Sequence, residues 1–206
     1  MSFTRLKAAH YEGRSAVEQL AYLERRVAAC RKCPDLAKTR LNTVFGCGNT
    51  GEGGIFIVGE APGADEDSCG VPFVGRAGQI LTAGLKKLGI ERKDVYVANC
   101  LKCRPDPPLG RGNRPPTRAE LADCVPFLLA QLEIVDPAVV VALGNSALEA
   151  LGIDAQVSKV RGTVDRSRPW PIVPTWHPAY VLRNPNAETY AQFYGDLVVA
   201  HELLSE

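Results

Sequence analysis

Three short runs of this chain, Ile55–Val58, Val95–Ala98 and Ala138–Leu143, are apolar throughout instead of alternating with polar residues. A strand that is apolar on both faces must be covered on both, the condition of a parallel sheet packed between helices. The segments around the runs agree. Ser15–Ala29, Arg76–Leu88 and Thr117–Val135 read as helices, and Val17, Leu20, Leu23 and Val27 line one face of the first. Thr117 and Glu120 form a capping-box pattern, and Gly89 ends the second helix. Gly144 opens a short helix closed by Gly152, Ile172–Val173 heads a fourth strand, and Asn186–Leu204 is a closing helix. The pattern predicts an α/β fold of three layers, α/β/α, around a central, mostly parallel four-stranded sheet. The length fits a single domain, 1–206, in which residues 1–29 are an N-terminal helical segment leading to the first cysteine pair.

Function classes are narrowed by what is missing. No apolar run approaches the ~18 residues of a spanning helix, and MSFTRLKAAHYEGRS has no apolar segment resembling a signal peptide. A cytoplasmic protein with no membrane partner is expected. The net charge of +1 is uninformative, but five basic residues between Lys102 and Arg118 face a single acid, Asp106. That loop reads as a local positive patch on a neutral protein.

Seven cysteines, an odd number, argue against a disulfide framework. Cys30-x-x-Cys33 at a helix end has the spacing of half a four-thiolate metal site. Either Cys100 with Cys103 or Cys103 with Cys124 could complete it, and Cys100 could equally be a small buried residue. Cys47 and Cys69 fall outside any ligand spacing and read as structural.

In a sheet of this kind ligands sit beyond the carboxyl ends of the strands, and three segments stand there. Gly59-Glu60-Ala61-Pro62-Gly63 follows the first strand. Its glycines allow a close approach to the backbone, and Glu60, Asp65, Glu66 and Asp67 supply carboxylates. The loop is neither a G-x-G-x-x-G nor a Walker sequence, so nucleotide binding fits poorly. Asn99 ends the second strand with a donor and an acceptor able to read a base edge. Phe73, between Pro72 and Val74, could stack on a base. Trp176-His177-Pro178 follows the last strand and carries one of only three histidines. Beyond it, Leu182 and Arg183 in a tight loop suit insertion into a duplex.

These pieces, in this order, resemble the family 4 uracil-DNA glycosylases. The match comprises Cys30-x-x-Cys33, Val58–Gly63 with Glu66-Asp67, Pro72–Gly75, Asn99–Pro105, Asn113-Arg114, Cys124, and His177–Arg183. The resemblance implies a structural [4Fe–4S] cluster on Cys30, Cys33, Cys103 and Cys124. It implies uracil-containing DNA, single- or double-stranded, as the partner of a monomeric enzyme, with Arg104 and Arg114 toward the DNA. Phe73 would stack on uracil, Asn99 would read its polar edge, and Glu60 and Ala61 would hold the base and the water. His177 would donate to uracil O2, and Leu182 and Arg183 would fill the gap left by the flipped nucleotide.

Two departures from relatives stand out. Ala61 has no polar atom where other glycosylases carry a water-activating Asp, so Glu66, then Glu60, is expected to orient the water. The stretch Pro107–Gly112 lengthens the loop between Cys103 and Cys124. The rival readings are a glycosylase for another damaged base and a non-catalytic iron–sulfur or zinc DNA-binding module.

Overall fold

The structure is a computed structural model that describes residues 13–105 and 113–205; the insert Pro107–Gly112 lies outside them. Five strands, β1 (Cys47–Gly48), β2 (Ile55–Gly59), β3 (Tyr96–Asn99), β4 (Val139–Leu143) and β5 (Ile172–Thr175), form one sheet in the order β1-β3-β2-β4-β5. β2, β3, β4 and β5 are parallel neighbours, as the all-apolar runs predict, while β1 pairs antiparallel with β3. The sheet therefore has five strands rather than the expected four. The addition is two residues long, Cys47 opposite Val97 and Gly48 opposite Tyr96, too short for any period to announce it.

The four parallel strands divide their side chains between two cores. Phe56, Val58, Tyr96, Ala98, Val140 and Ala142 pack under α1 (Ala16–Ala29) and α5 (Arg118–Val135), through Leu20, Leu23, Val27, Leu128 and Leu132. Ile55, Ile57, Val97, Val139, Val141 and Leu143 pack on the other side under α4 (Arg76–Lys87) and α9 (Ala187–Glu202), through Leu81, Leu85, Phe193 and Leu197. This is the expected three-layer arrangement. The helix starts follow their sequence signals: Ser15 with Glu18 and Thr117 with Glu120 form complete capping boxes. Among the described residues there are five further short α-helices: α2 (Pro34–Thr39), α3 (Ala64–Cys69), α6 (Asn145–Ala150), α7 (Val157–Val160) and α8 (Pro178–Arg183). Among the described residues, no helix is long and apolar enough to cross a membrane.

One part of the expected positive patch is absent. Lys102 is buried in the core, its ammonium donating to the Asn99 carbonyl at 2.9 Å and to Gln131 Oε1 at 2.5 Å. Gln131 in turn donates to the Phe45 carbonyl and the Tyr96 hydroxyl. A buried charge is tolerated only when its donors are met, so Lys102 contributes to the interior and not to the surface field. Gln131→Leu, which keeps the volume but removes these partners, is expected to cost about 3 kcal/mol. A lowered melting temperature in thermal denaturation would show it.

Candidate active site and thiol site

The register of the sheet brings the sequence-predicted residues into one layer. Gly59 stands opposite Asn99, and Leu143 opposite Thr175, so Glu60, Asn99 and His177 all emerge at carboxyl ends of parallel strands. With Ala61, Gly63, Glu66, Phe73, Ala77, Asn113, Ala179 and Arg183 they line a cavity of about 350 Å³, a size typical of small-molecule sites.

Its floor is Asn99. The side chain is 1% exposed, and its Oδ1 has no hydrogen-bond partner. A buried acceptor without a partner is costly, and this one borders the cavity. Phe73 forms a wall, with its ring 5.8 Å from that of His177. Its backbone holds φ +55°, a conformation uncommon in non-glycine residues. Gly59 makes both placements possible. A Cβ there would lie 2.3 Å from Asn99 Oδ1 and 2.5 Å from Phe73 Cζ.

His177 caps α8. Its Nδ1 accepts from the Ala179 N–H at 3.1 Å, so a neutral ring carries its proton on Nε2. Burial, reinforced by the nearby Arg183 guanidinium, lowers its pKa to about 4. Glu60 accepts from the Ser146 hydroxyl at 2.5 Å through Oε2. Glu66 differs: Oε2 accepts the Gly63 N–H at 3.0 Å and Oε1 the Gly75 N–H at 2.9 Å. Ser146, which the sequence reading passed over, follows β4; the rule that sites gather at strand ends could have found it.

A second cavity is ringed by Cys30, Cys33, Cys103 and Cys124, together with Leu36, Arg40 and Phe127. Cys100 is not among its lining residues. It is buried elsewhere, its thiol donating to the Ser146 carbonyl at 3.6 Å. Two of the ring sulfurs already receive N–H donors, Cys103 from Arg40 Nη1 at 2.9 Å and Cys124 from the Lys102 N–H at 3.2 Å. Burial pushes Cys33 up to about 11 and Cys124 up to about 12. Among the described residues no three His, Cys, Asp or Glu side chains form a group that could hold a single metal ion; the four thiols surround a space instead. Cys47 and Cys69, expected to be structural, lie on the surface.

The residues expected to face DNA are dispersed. Arg104 donates to Asn113, whose amide donates to the Pro62 carbonyl, tying the basic loop to the cavity wall. Arg114 is committed to Glu120 through two contacts of 2.8 and 2.5 Å, holding that carboxyl down at about 2. Leu182 and Arg183 lie on α8 and not in a loop; Leu182 is half-buried and Arg183 is exposed at the cavity rim.

Known proteins resemble this chain in sequence. A profile of the uracil DNA glycosylase superfamily matches residues 45–198. A type-4 uracil-DNA glycosylase of Thermotoga maritima is 46% identical over 174 residues, 83% of this chain and 87% of that one. Relatives of the same name from Archaeoglobus fulgidus and Pyrobaculum aerophilum are each 42% identical, over 82% and 81% of this chain and 86% of each of theirs. With the profile spanning both faces of the cavity and such relatives aligned over most of its length, the chain belongs to the type-4 branch of the uracil DNA glycosylase superfamily.

Proposed function

We propose that this chain hydrolyses the N-glycosidic bond of uracil in DNA, leaving an abasic site for base-excision repair. The observation that carries the reading is the buried, unpartnered Oδ1 of Asn99 between Phe73 and His177 in one cavity. An acceptor at that depth suits the N3–H of uracil. Cytosine presents a lone pair at the same position, and two facing acceptors repel. The base must leave the duplex to reach it, at roughly a few kcal/mol for unstacking and unpairing. Stacking on Phe73 offsets part of that cost, about 1–3 kcal/mol per base. Leu182 and Arg183, at the end of α8, would fill the gap. Every group named here lies on one chain, so we propose a monomer.

Bond cleavage develops negative charge on the departing uracil and positive charge on the sugar. His177 donates Nε2–H to uracil O2 from a neutral ring, so no proton has to be lost from or supplied to the histidine. Glu60 supplies the carboxylate facing the sugar and the water. Glu66 was the first expectation for the water, but both of its oxygens are occupied by backbone N–H groups. We assign it to holding the loops instead.

The four ringed thiols fit a [4Fe–4S] cluster: the donor set is all sulfur, and two sulfurs have N–H donors in place that would favour thiolate. Cys30, Cys33, Cys103 and Cys124 would hold it, and its contribution would be to cross-link their segments. Cys124→Ser and Cys103→Ser are expected to lose bound iron and visible absorbance in the purified protein. Cys100→Ser is expected to keep both.

The activity itself is tested on uracil-containing oligonucleotides, single- and double-stranded, with hypoxanthine-containing ones beside them. Alkali-labile breaks are expected at uracil; none would overturn the proposal. His177→Ala is expected to lower the excision rate ~10²–10³-fold. Because the fold lowers the His177 pKa from 6.5 to about 4, the neutral form is retained above that value and lost as pH falls through it. The rate–pH profile should therefore show no limb centred on 6.5 and should fall only toward pH 4.

A further inference from the structure

We infer that Ser146 is a positioning residue for excision, fixing the Glu60 carboxylate at the crevice between β2 and β4. The inference rests on the role proposed for Glu60. β2 and β4 are neighbours, but the chain leaves β2 toward β3 and β4 toward β5, on opposite sides. Their carboxyl ends therefore frame an open crevice. Ser146 Oγ crosses it, donating to Glu60 Oε2 at 2.5 Å.

The surrounding contacts hold both partners. The Glu60 carbonyl accepts the Leu101 N–H at 3.0 Å, and the Gly59 carbonyl accepts the Cys100 N–H at 2.9 Å, so the main chain beneath Glu60 is fixed from β3. The Ser146 carbonyl takes the Cys100 thiol. Gly144 just before it has φ +81° and ψ −177°, a conformation open essentially to glycine alone, and a Cβ there would stand 3.2 Å from His177 Cβ. The turn after β4 is thus pressed against His177 while it presents its hydroxyl to Glu60. A free glutamate side chain has three rotatable bonds. With Oε2 held by Ser146, Oε1 is left for the cavity that Glu60 lines.

A hydroxyl that merely completed the packing would affect folding. One that aims the carboxylate affects the chemical step. Single-turnover excision from a uracil oligonucleotide separates these in Ser146→Thr, Ser146→Val, Glu60→Gln and the Ser146→Val/Glu60→Gln double variant. Thr and Val have nearly the same shape, and only Thr keeps the hydroxyl. Ser146→Thr should retain the rate. Ser146→Val should fall roughly ten- to hundred-fold in maximal rate with KM little changed, and should add no further loss in the Glu60→Gln background. Equal losses in Thr and Val would overturn the proposal, as would a full further loss in the double variant. If Ser146→Val does not fold, Ser146→Ala takes its place against the same criteria. Excision by Glu60→Gln at the wild-type rate would instead refute the role of Glu60, and the role of Ser146 with it.

Discussion

Two neighbouring buried carboxylates, Glu66 and Asp67, hold the active site together by accepting backbone N–H groups. Removing a carboxylate from water costs several kcal/mol unless its oxygens are hydrogen-bonded, and here the bonds are aimed at three separate loops. Glu66 takes Gly63 and Gly75, the ends of the segments that carry Ala61 and Phe73. Asp67 takes Leu41 and Asn42, which follow the Cys30–Cys33 segment. The six residues of α3 thereby fix the cavity wall to the thiol site. The glycine at 63 follows from the same contact. Its φ of −86° is open to any residue, but a Cβ would stand 2.5 Å from Glu66 Oε2. Close approach, and not backbone freedom, favours glycine there, since a Cβ would push the Glu66 carboxylate off the Gly63 N–H.

A second connection runs through the interior. Lys102 donates its main-chain N–H to Cys124 and its ammonium to the Asn99 carbonyl. One residue thus reaches from the thiol ring to the floor of the base pocket. A cross-link among the four thiols therefore bears on the pocket from two directions, through Asp67 and through Lys102. On the proposed reading, a cluster with no part in bond cleavage would act on the site through these contacts.

The layers were legible because a strand buried on both faces has no polar positions to spare, and a capping box needs a hydroxyl and a carboxylate three residues apart. Ile55–Val58, Ala138–Leu143, and Thr117 with Glu120 all carried their structure locally. β1 did not: Cys47 and Gly48 are a strand only because Val97 and Tyr96 lie beside them. The same holds for charge. Lys102 and Arg114 count as basic surface in the sequence, yet one lies in the core and the other is paired with Glu120. Residue type and strand-end position were enough to nominate Glu60, Asn99 and His177 for one site. Ser146 follows β4, where the strand-end rule points, but its contact with Glu60 becomes visible only when β4 is known to adjoin β2, a pairing of residues far apart in the chain.

The placement of His177 and Arg183 on one short helix has a mechanical consequence. His177 is the N-cap of α8 and Arg183 its last residue, with Arg183 at the cavity rim. The ring is held by the Ala179 N–H of the same helix that carries Leu182 and Arg183. α8 packs against α4, whose Ala77 lines the cavity beside Phe73. On the proposed reading, a nucleotide displaced by Leu182 and Arg183 would enter a cavity whose donor is already oriented by the element that displaced it. Alignment of Nε2 with uracil O2 would then need no separate rearrangement, which favours preorganised stabilisation of the leaving anion over a donor recruited after flipping.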